Sequence, residues 1–240
     1  MKNCRVLGLD IFRGWALLFM VIYHFIYDLS YFHIIELNLN SSNFFLFFRY
    51  TIISMFLLSV GISLSLVHQK SISWKKLKKR VLLLGLASLT VTATTYIVFP
   101  NAWIYFGILH FILLSSLLAL PFLNYPKIAL LVAILIFIGS ATENLTVHSI
   151  FNFLQPILHL PPIHTQDVIA LFPWFGVVLL GTLITYYNLH IKIFTKKIFT
   201  ANTPLNKLLK FMGQHSLLIY LIHQPILFVA FESYFKLFSK

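Results

Sequence analysis

Charge is what this chain has least of. Only 10% of its 240 residues are charged and six of them are acidic, whereas 59% are hydrophobic and the mean hydropathy is +0.88. A soluble domain carries about 25% charged residues, so hardly any long window here can form a water-facing surface. Cysteine is nearly missing too. With Cys4 alone, an intramolecular disulfide framework and a cysteine-based metal cluster are both excluded, and no metal site is expected. The chain contains no GxSxG, Walker, GxGxxG or HExxH sequence, which removes support for hydride-transfer and P-loop chemistry. Low-complexity tracts, a convincing internal repeat and a soluble second domain are absent as well. The first apolar run is too long for a signal-peptide core, carries charges and lacks a small-residue cleavage site. What remains is an all-α membrane protein, expected as one polytopic domain over residues 1–240.

A membrane span needs roughly 20 mostly apolar residues. Seven stretches qualify as candidates: 10–33, 44–67, 80–99, 103–122, 127–141, 169–189 and 214–235, the fifth being the shortest. The net charge of +12 is distributed as the positive-inside rule requires, which argues against nucleic acid as a partner. Lys2 and Arg5 precede the first span, "HQKSISWKKLKKR" carries six basic residues, and "HIKIFTKKIFTANTPLNKLLK" carries five. With seven spans and a cytoplasmic N-terminus, these segments and Lys127 all fall inside, leaving Arg49, Lys236 and Lys240 outside. His68, His190 and His215 lie in or beside the cytoplasmic loops and are expected to be solvated. The longest external segment, about 142–168, contains Glu143, His148, His159, His164 and Asp167, with a proline-broken apolar stretch that suits a re-entrant or interfacial position.

The first span, "LDIFRGWALLFMVIYHFIYDL", is the unusual one. Ionisable groups are costly within a membrane and each needs a partner, a watery cavity or a task. Arg13 and His24 are eleven positions apart, about 16 Å along a helix and close to one face. Asp28 follows His24 by four residues on that face, Leu17 and Met20 fill the interval, and Tyr31 continues the stripe. Lipid cannot accept such a stripe, so it is expected to face the bundle interior. Asp28 is placed to accept a proton from one ring nitrogen of His24, leaving the other as a base. The bland alternatives are a snorkelling Arg13 paired with Asp10 and a structural His24–Asp28 pair.

Other spans supply matching groups. "WIYFGILH" brings His110 to the fourth, with Gly107 one turn earlier permitting close helix approach. "GQHSLLIYLIHQPIL" gathers Tyr220, His223 and Gln224 within a turn of the last span, where Pro225 frees a backbone carbonyl. "QDVIALFPWFGVVLLG" places Pro173 where it starts or kinks the sixth span and Trp174 at interfacial depth. His24, His110 and His223 on three spans point to a shared polar cavity.

Together "LDIFRGWALLFMVIYHFIYDL", "FGILH", "FPWFGVVLLG" and "SLLIYLIHQPIL" resemble the small bacterial membrane proteins of the DUF1624 group. That group is related to the catalytic domain of heparan-alpha-glucosaminide N-acetyltransferase. Arg13, ten residues, then His24 is similar, more distantly, to the first-helix signature of the acyltransferase-3 proteins. The resemblance covers nearly the whole chain. It implies acyl transfer from cytoplasmic acetyl-CoA or another acyl-CoA to a saccharide or other cell-envelope acceptor on the far side of the membrane, by a protein of the bacterial inner membrane. Carried onto this sequence, Arg13, Lys79 and Arg80 would meet the CoA phosphates, and His24, Asp28, His110 and His223 would serve the transfer. The partners implied are the lipid bilayer, acyl-CoA and a glycan or envelope acceptor, with room for a homo-oligomer. The sugar-acetylating relatives have more spans and carry their proposed catalytic histidine just past the first span, after an aromatic pair. "YFH" puts His33 near that place in a different surrounding pattern.

Two other classes compete. A non-catalytic proton or ion carrier would use the His/Asp/Tyr stripe as a relay. A haem-bound electron carrier would need histidines paired at matching depth, and the odd set His24, His110 and His223 supplies such pairs poorly.

Overall fold

A computed structural model describes residues 5–37, 39, 41–68, 71–142, 155–157 and 168–238. Glu143, His148, His159, His164 and Asp167 of the expected external segment lie outside the described residues. All regular structure among the described residues is helical: α1 Leu7–Tyr31, α2 Asn43–His68, α3 Trp74–Val98, α4 Ile108–Leu118, α5 Pro126–Ala141, α6 Trp174–Tyr186, α7 Leu189–Phe194, α8 Lys197–Thr200, α9 Pro204–Gln214 and α10 Ser216–Phe238. A 3-10 turn, Leu120–Asn124, joins α4 to α5.

Each of the seven expected stretches contains an apolar helix, but only α1, α2, α3 and α10 are long enough to cross a membrane. The other three, α4, α5 and α6, have 11, 16 and 13 residues. At 1.5 Å per residue they reach about 17, 24 and 20 Å, short of a hydrocarbon core of about 30 Å. Local chemistry sets these lengths. Gly107 caps α4, residues 103–107 before it are not helical, and Pro121 in the 3-10 turn has no N–H with which to continue it. Pro173 caps α6, so the proline starts that helix.

The described chain divides into two compact units, Met1–Phe56 with Ile191–Lys240, and Leu57–His190. In the first, α1 packs against α9 and α10. Its core is Leu17, Met20, Tyr23, Leu39 and Ile52, flanked by Phe45, Phe48, Met212 and Ile219. The α1–α9 crossing is closed by two glycines. Any Cβ at Gly14 would overlap the Leu209 backbone, and one at Gly213 would overlap the Asp10 backbone. Towards the C-terminal end of α1, Phe32 stacks against Phe231 and Phe235 at centroid separations of 5.5 and 5.3 Å, with Phe228 at 5.4 Å.

The second unit buries Leu57, Leu64, Phe111, Val178 and Leu179. Gly61 of α2 and Gly181 of α6 meet backbone to backbone, and Thr185 Oγ1 donates to the Ile62 carbonyl at 3.3 Å. Small residues and a side-chain hydrogen bond at a helix crossing are how membrane helices adhere when lipid is as apolar as leucine. The outward side of α3 is greasy: Leu82, Leu86 and Leu89 are 64%, 63% and 64% exposed. A contiguous face of that kind suits acyl chains rather than water, and with the four long apolar helices it makes this an integral membrane protein.

Two histidines expected to be solvated are buried. His68 is 3% and His190 6% exposed. The His68 ring ends α2 and its Nδ1 accepts the Ser73 N–H at 3.0 Å, which closes the tight turn into α3. His190, at the start of α7, is turned inward with Nδ1 unpaired. His215, in the break between α9 and α10, is exposed as expected and lies 4.7 Å from the Phe211 ring.

Candidate functional site

The polar stripe on α1 faces inward over most of its length. Leu17 and Met20 are 0% and 5% exposed, and Asp28 is 1% exposed. Only Tyr31 departs from the expectation. It is 47% exposed and packs against Phe228 through a ring contact of 6.0 Å.

Opposite the stripe stands α10, and the two helices are tied by two polar rungs. In one, the His24 and His223 rings lie 5.0 Å apart between centroids. In the other, Gln224 Nε2 donates to Asp28 Oδ1 at 2.8 Å. The expected hydrogen bond from His24 to Asp28 is not made. Asp28 instead accepts the N–H that the Gln224 amide brings across from α10, and the His24 ring packs against its counterpart histidine. The His223 Nδ1 lies 2.6 Å from the Tyr220 carbonyl oxygen. Four buried atoms in these rungs have no partner: His24 Nδ1, His223 Nε2, Asp28 Oδ2 and Gln224 Oε1. Buried polar groups are nearly always hydrogen-bonded, so four exceptions on two facing turns make this the candidate site. Gln224 was legible only as a neighbour of His223. Its bond to a residue 196 positions away carries no local signal.

At the other end of α1 is a compact ion cluster. Arg5 Nε donates to Asp10 Oδ2 at 2.6 Å and Arg5 Nη2 to Asp10 Oδ1 at 3.2 Å, while Arg13 Nη1 reaches Oδ1 at 3.5 Å. Asp10 is 2% exposed, so two guanidinium groups surround one buried carboxylate and leave one positive charge in excess. Arg5, seen in the sequence as an orienting charge, is the principal partner of Asp10. Arg13 makes one long bond there, and most of its donor fork remains for another acceptor. Lys79 and Arg80 belong to the second unit, in the first turns of α3, with Lys79 exposed and Arg80 half-buried.

His110 also belongs to the second unit, and its ring is occupied. The Gly107 N–H donates to His110 Nδ1 at 3.3 Å, so the ring proton sits on Nε2. That nitrogen donates to Thr92 Oγ1 at 3.1 Å, and Thr92 in turn donates to the Ile104 carbonyl at 2.8 Å. Gly107 therefore acts as a helix cap and not as a point of close helix approach, and both nitrogens of His110 are hydrogen-bonded. Replacing His110 by Leu is expected to cost about 1–3 kcal/mol of stability, the penalty for stranding buried partners. The turnover of the molecules that remain folded should be unchanged. Thermal unfolding in detergent beside activity per folded protein checks this, and a lost turnover at normal stability would reverse the assignment. His33, φ 57°, sits exposed just beyond α1 and makes a backbone bond to Ser30.

The chain is thus a helical membrane protein with two arginines around the buried Asp10 at one end of α1 and a buried, partly unpaired histidine–carboxylate cluster towards the other. The sequence matches the family model described as heparan-alpha-glucosaminide N-acetyltransferase, catalytic, over residues 5–225, and the chain belongs to that family of membrane acyltransferases. No curated protein and no solved structure matches it.

Proposed function

We propose that the protein moves an acetyl or other acyl group from cytoplasmic acyl-CoA to a saccharide or other envelope acceptor on the opposite face of the bacterial inner membrane. The observation that carries the reading is the family membership together with the two ends of α1. Arg13 supplies a planar, permanently charged fork suited to phosphate oxygens. His24, Asp28 and His223 supply the transfer centre. Arg13 and His24 stand about 16 Å apart along the helix. That spacing suits a donor whose phosphates and thioester lie at opposite ends of a long flexible arm. The excess of basic residues in the loops supports a reading with Arg13 on the cytoplasmic side and the rungs in the outer half.

A proton carrier fits less well. Its relay would have to pass Leu17 and Met20, which are buried and apolar between Arg13 and His24. The test is to incubate purified protein with labelled acetyl-CoA and an envelope saccharide fraction. Label should move to the saccharide as CoA thiol appears. If the thioester is neither transferred nor hydrolysed, and no label stays on the protein, the reading fails.

A further inference from the structure

Of the four unpaired atoms of the rungs, two have a definite polarity. Gln224 Oε1 carries lone pairs and no proton; the amide must turn its NH2 to Asp28, which leaves its oxygen free. For His223 the Tyr220 carbonyl decides. A carbonyl only accepts, so the nitrogen 2.6 Å from it, Nδ1, carries the ring proton. Nε2 is then the bare nitrogen, buried and without a partner. Nothing fixes His24 in this way: its Nδ1 is unpaired and its ring only packs against His223 and Tyr23.

Resting on the acyl-transfer reading, we propose that His223 Nε2 is the general base and that Asp28 and Gln224 form the subsite that holds the acceptor's hydroxyl or amine beside it. Lone pairs on Gln224 Oε1 and His223 Nε2 are satisfied only by a group that donates hydrogen bonds. Phosphate oxygens and the thioester carbonyl, which accept, would be repelled or left unpaired there. The site therefore belongs to the acceptor. As the acceptor oxygen or nitrogen attacks the thioester carbonyl carbon, its proton passes to His223 Nε2. The carbon–sulfur bond then breaks, the electron pair leaves on sulfur, and the imidazolium returns the proton to it. The products are acylated acceptor and CoA thiol, with no oxidant or reductant involved. His24, against the His223 ring, is a positioning residue that keeps that ring from turning away.

The first test needs no activity. Full-length wild-type protein carrying ¹⁵N-histidine and ¹³C-carbonyl tyrosine is studied by NMR, and His223 is identified by its coupling across the hydrogen bond to the Tyr220 carbonyl. A protonated Nδ1 and a bare Nε2 are expected; a protonated Nε2 on a neutral ring, or no coupled histidine, overturns the proposal. The second test is kinetic. His223→Gln should lower transfer on the order of 10²- to 10⁴-fold, as loss of a general base does, while acetyl-CoA binding persists. Gln224→Leu should raise the KM for acceptor more than it lowers kcat. Transfer by His223→Gln at the parental rate would overturn the assignment of the base. Wild-type protein that shows the expected tautomer yet transfers nothing would instead overturn the acyl-transfer reading beneath it.

Discussion

Gly213→Val is expected to yield little folded protein. At this position α9 rides directly on the backbone of α1, and every near neighbour of an added Cβ is a backbone atom of Asp10. A flexible side chain could swing aside; a helix backbone has to translate. Overpacking a core typically costs 1–3 kcal/mol, occasionally more, and the absence of any soft neighbour puts this case at about 3 kcal/mol or above. The damage should extend to ligand binding, since the same stretch of α1 holds Asp10 and through it Arg5 and Arg13. Gly14→Val should do the same from the other side, against Leu209. Because the two glycines serve one crossing, the double variant should be less damaged than the sum of the singles. Circular dichroism melting in detergent and yield after size exclusion measure the effect; a Gly213→Val protein that melts like the parent would mean the crossing is looser than described.

Arg13→Gln should weaken CoA binding by about 10- to 100-fold, the equivalent of about 1.5–3 kcal/mol for hydrogen bonds to a charged group. The protein should still insert and fold, because Arg5 remains on Asp10 with the shorter pair of bonds. Arg13→Lys should recover part of the loss, since it restores the charge without the planar fork. Isothermal titration with CoA, at two salt concentrations, separates the two contributions. Unaltered affinity in Arg13→Gln would make the cation a structural counter-charge for Asp10 and would detach the donor from this end of α1.

How much of this was legible beforehand depends on the range of the interaction. The helical class follows from composition, and the inward stripe of Leu17, Met20 and Asp28 follows from a 3.6-residue period within one helix. Pro173 and Pro121 announce where α6 begins and where α4 gives way, because a missing N–H acts locally. Three other features required the fold. The Asp28–Gln224 bond joins opposite ends of the chain, so the same-helix neighbour His24 was the natural but wrong partner for Asp28. His110 looked like a member of the polar cluster, but its ring closes the first turn of its own helix and reaches back to Thr92. His68 looked solvated because lysines surround it in sequence, whereas its ring is spent on the turn to Ser73. Helix length was the least legible property, since hydropathy registers that residues 103–107 are apolar and not that they are unwound.

The aromatic rings at the C-terminal end of α1 bear on how strongly the rungs can act. Phe32 lies four residues beyond Asp28, and Phe228 four beyond Gln224, so these rings form the next layer along the helices from the second rung. Benzene rings polarise little and bring no protons to share. Field lines leaving Asp28 on that side are not gathered up by water dipoles and stay within the cluster. Two unit charges 4 Å apart interact with about 1 kcal/mol in water and about 4 kcal/mol where the effective dielectric constant is 20. A single buried carboxylate beneath such a cap can therefore orient a polar guest with a force that the same carboxylate, placed at a wet helix end, would lose to solvent.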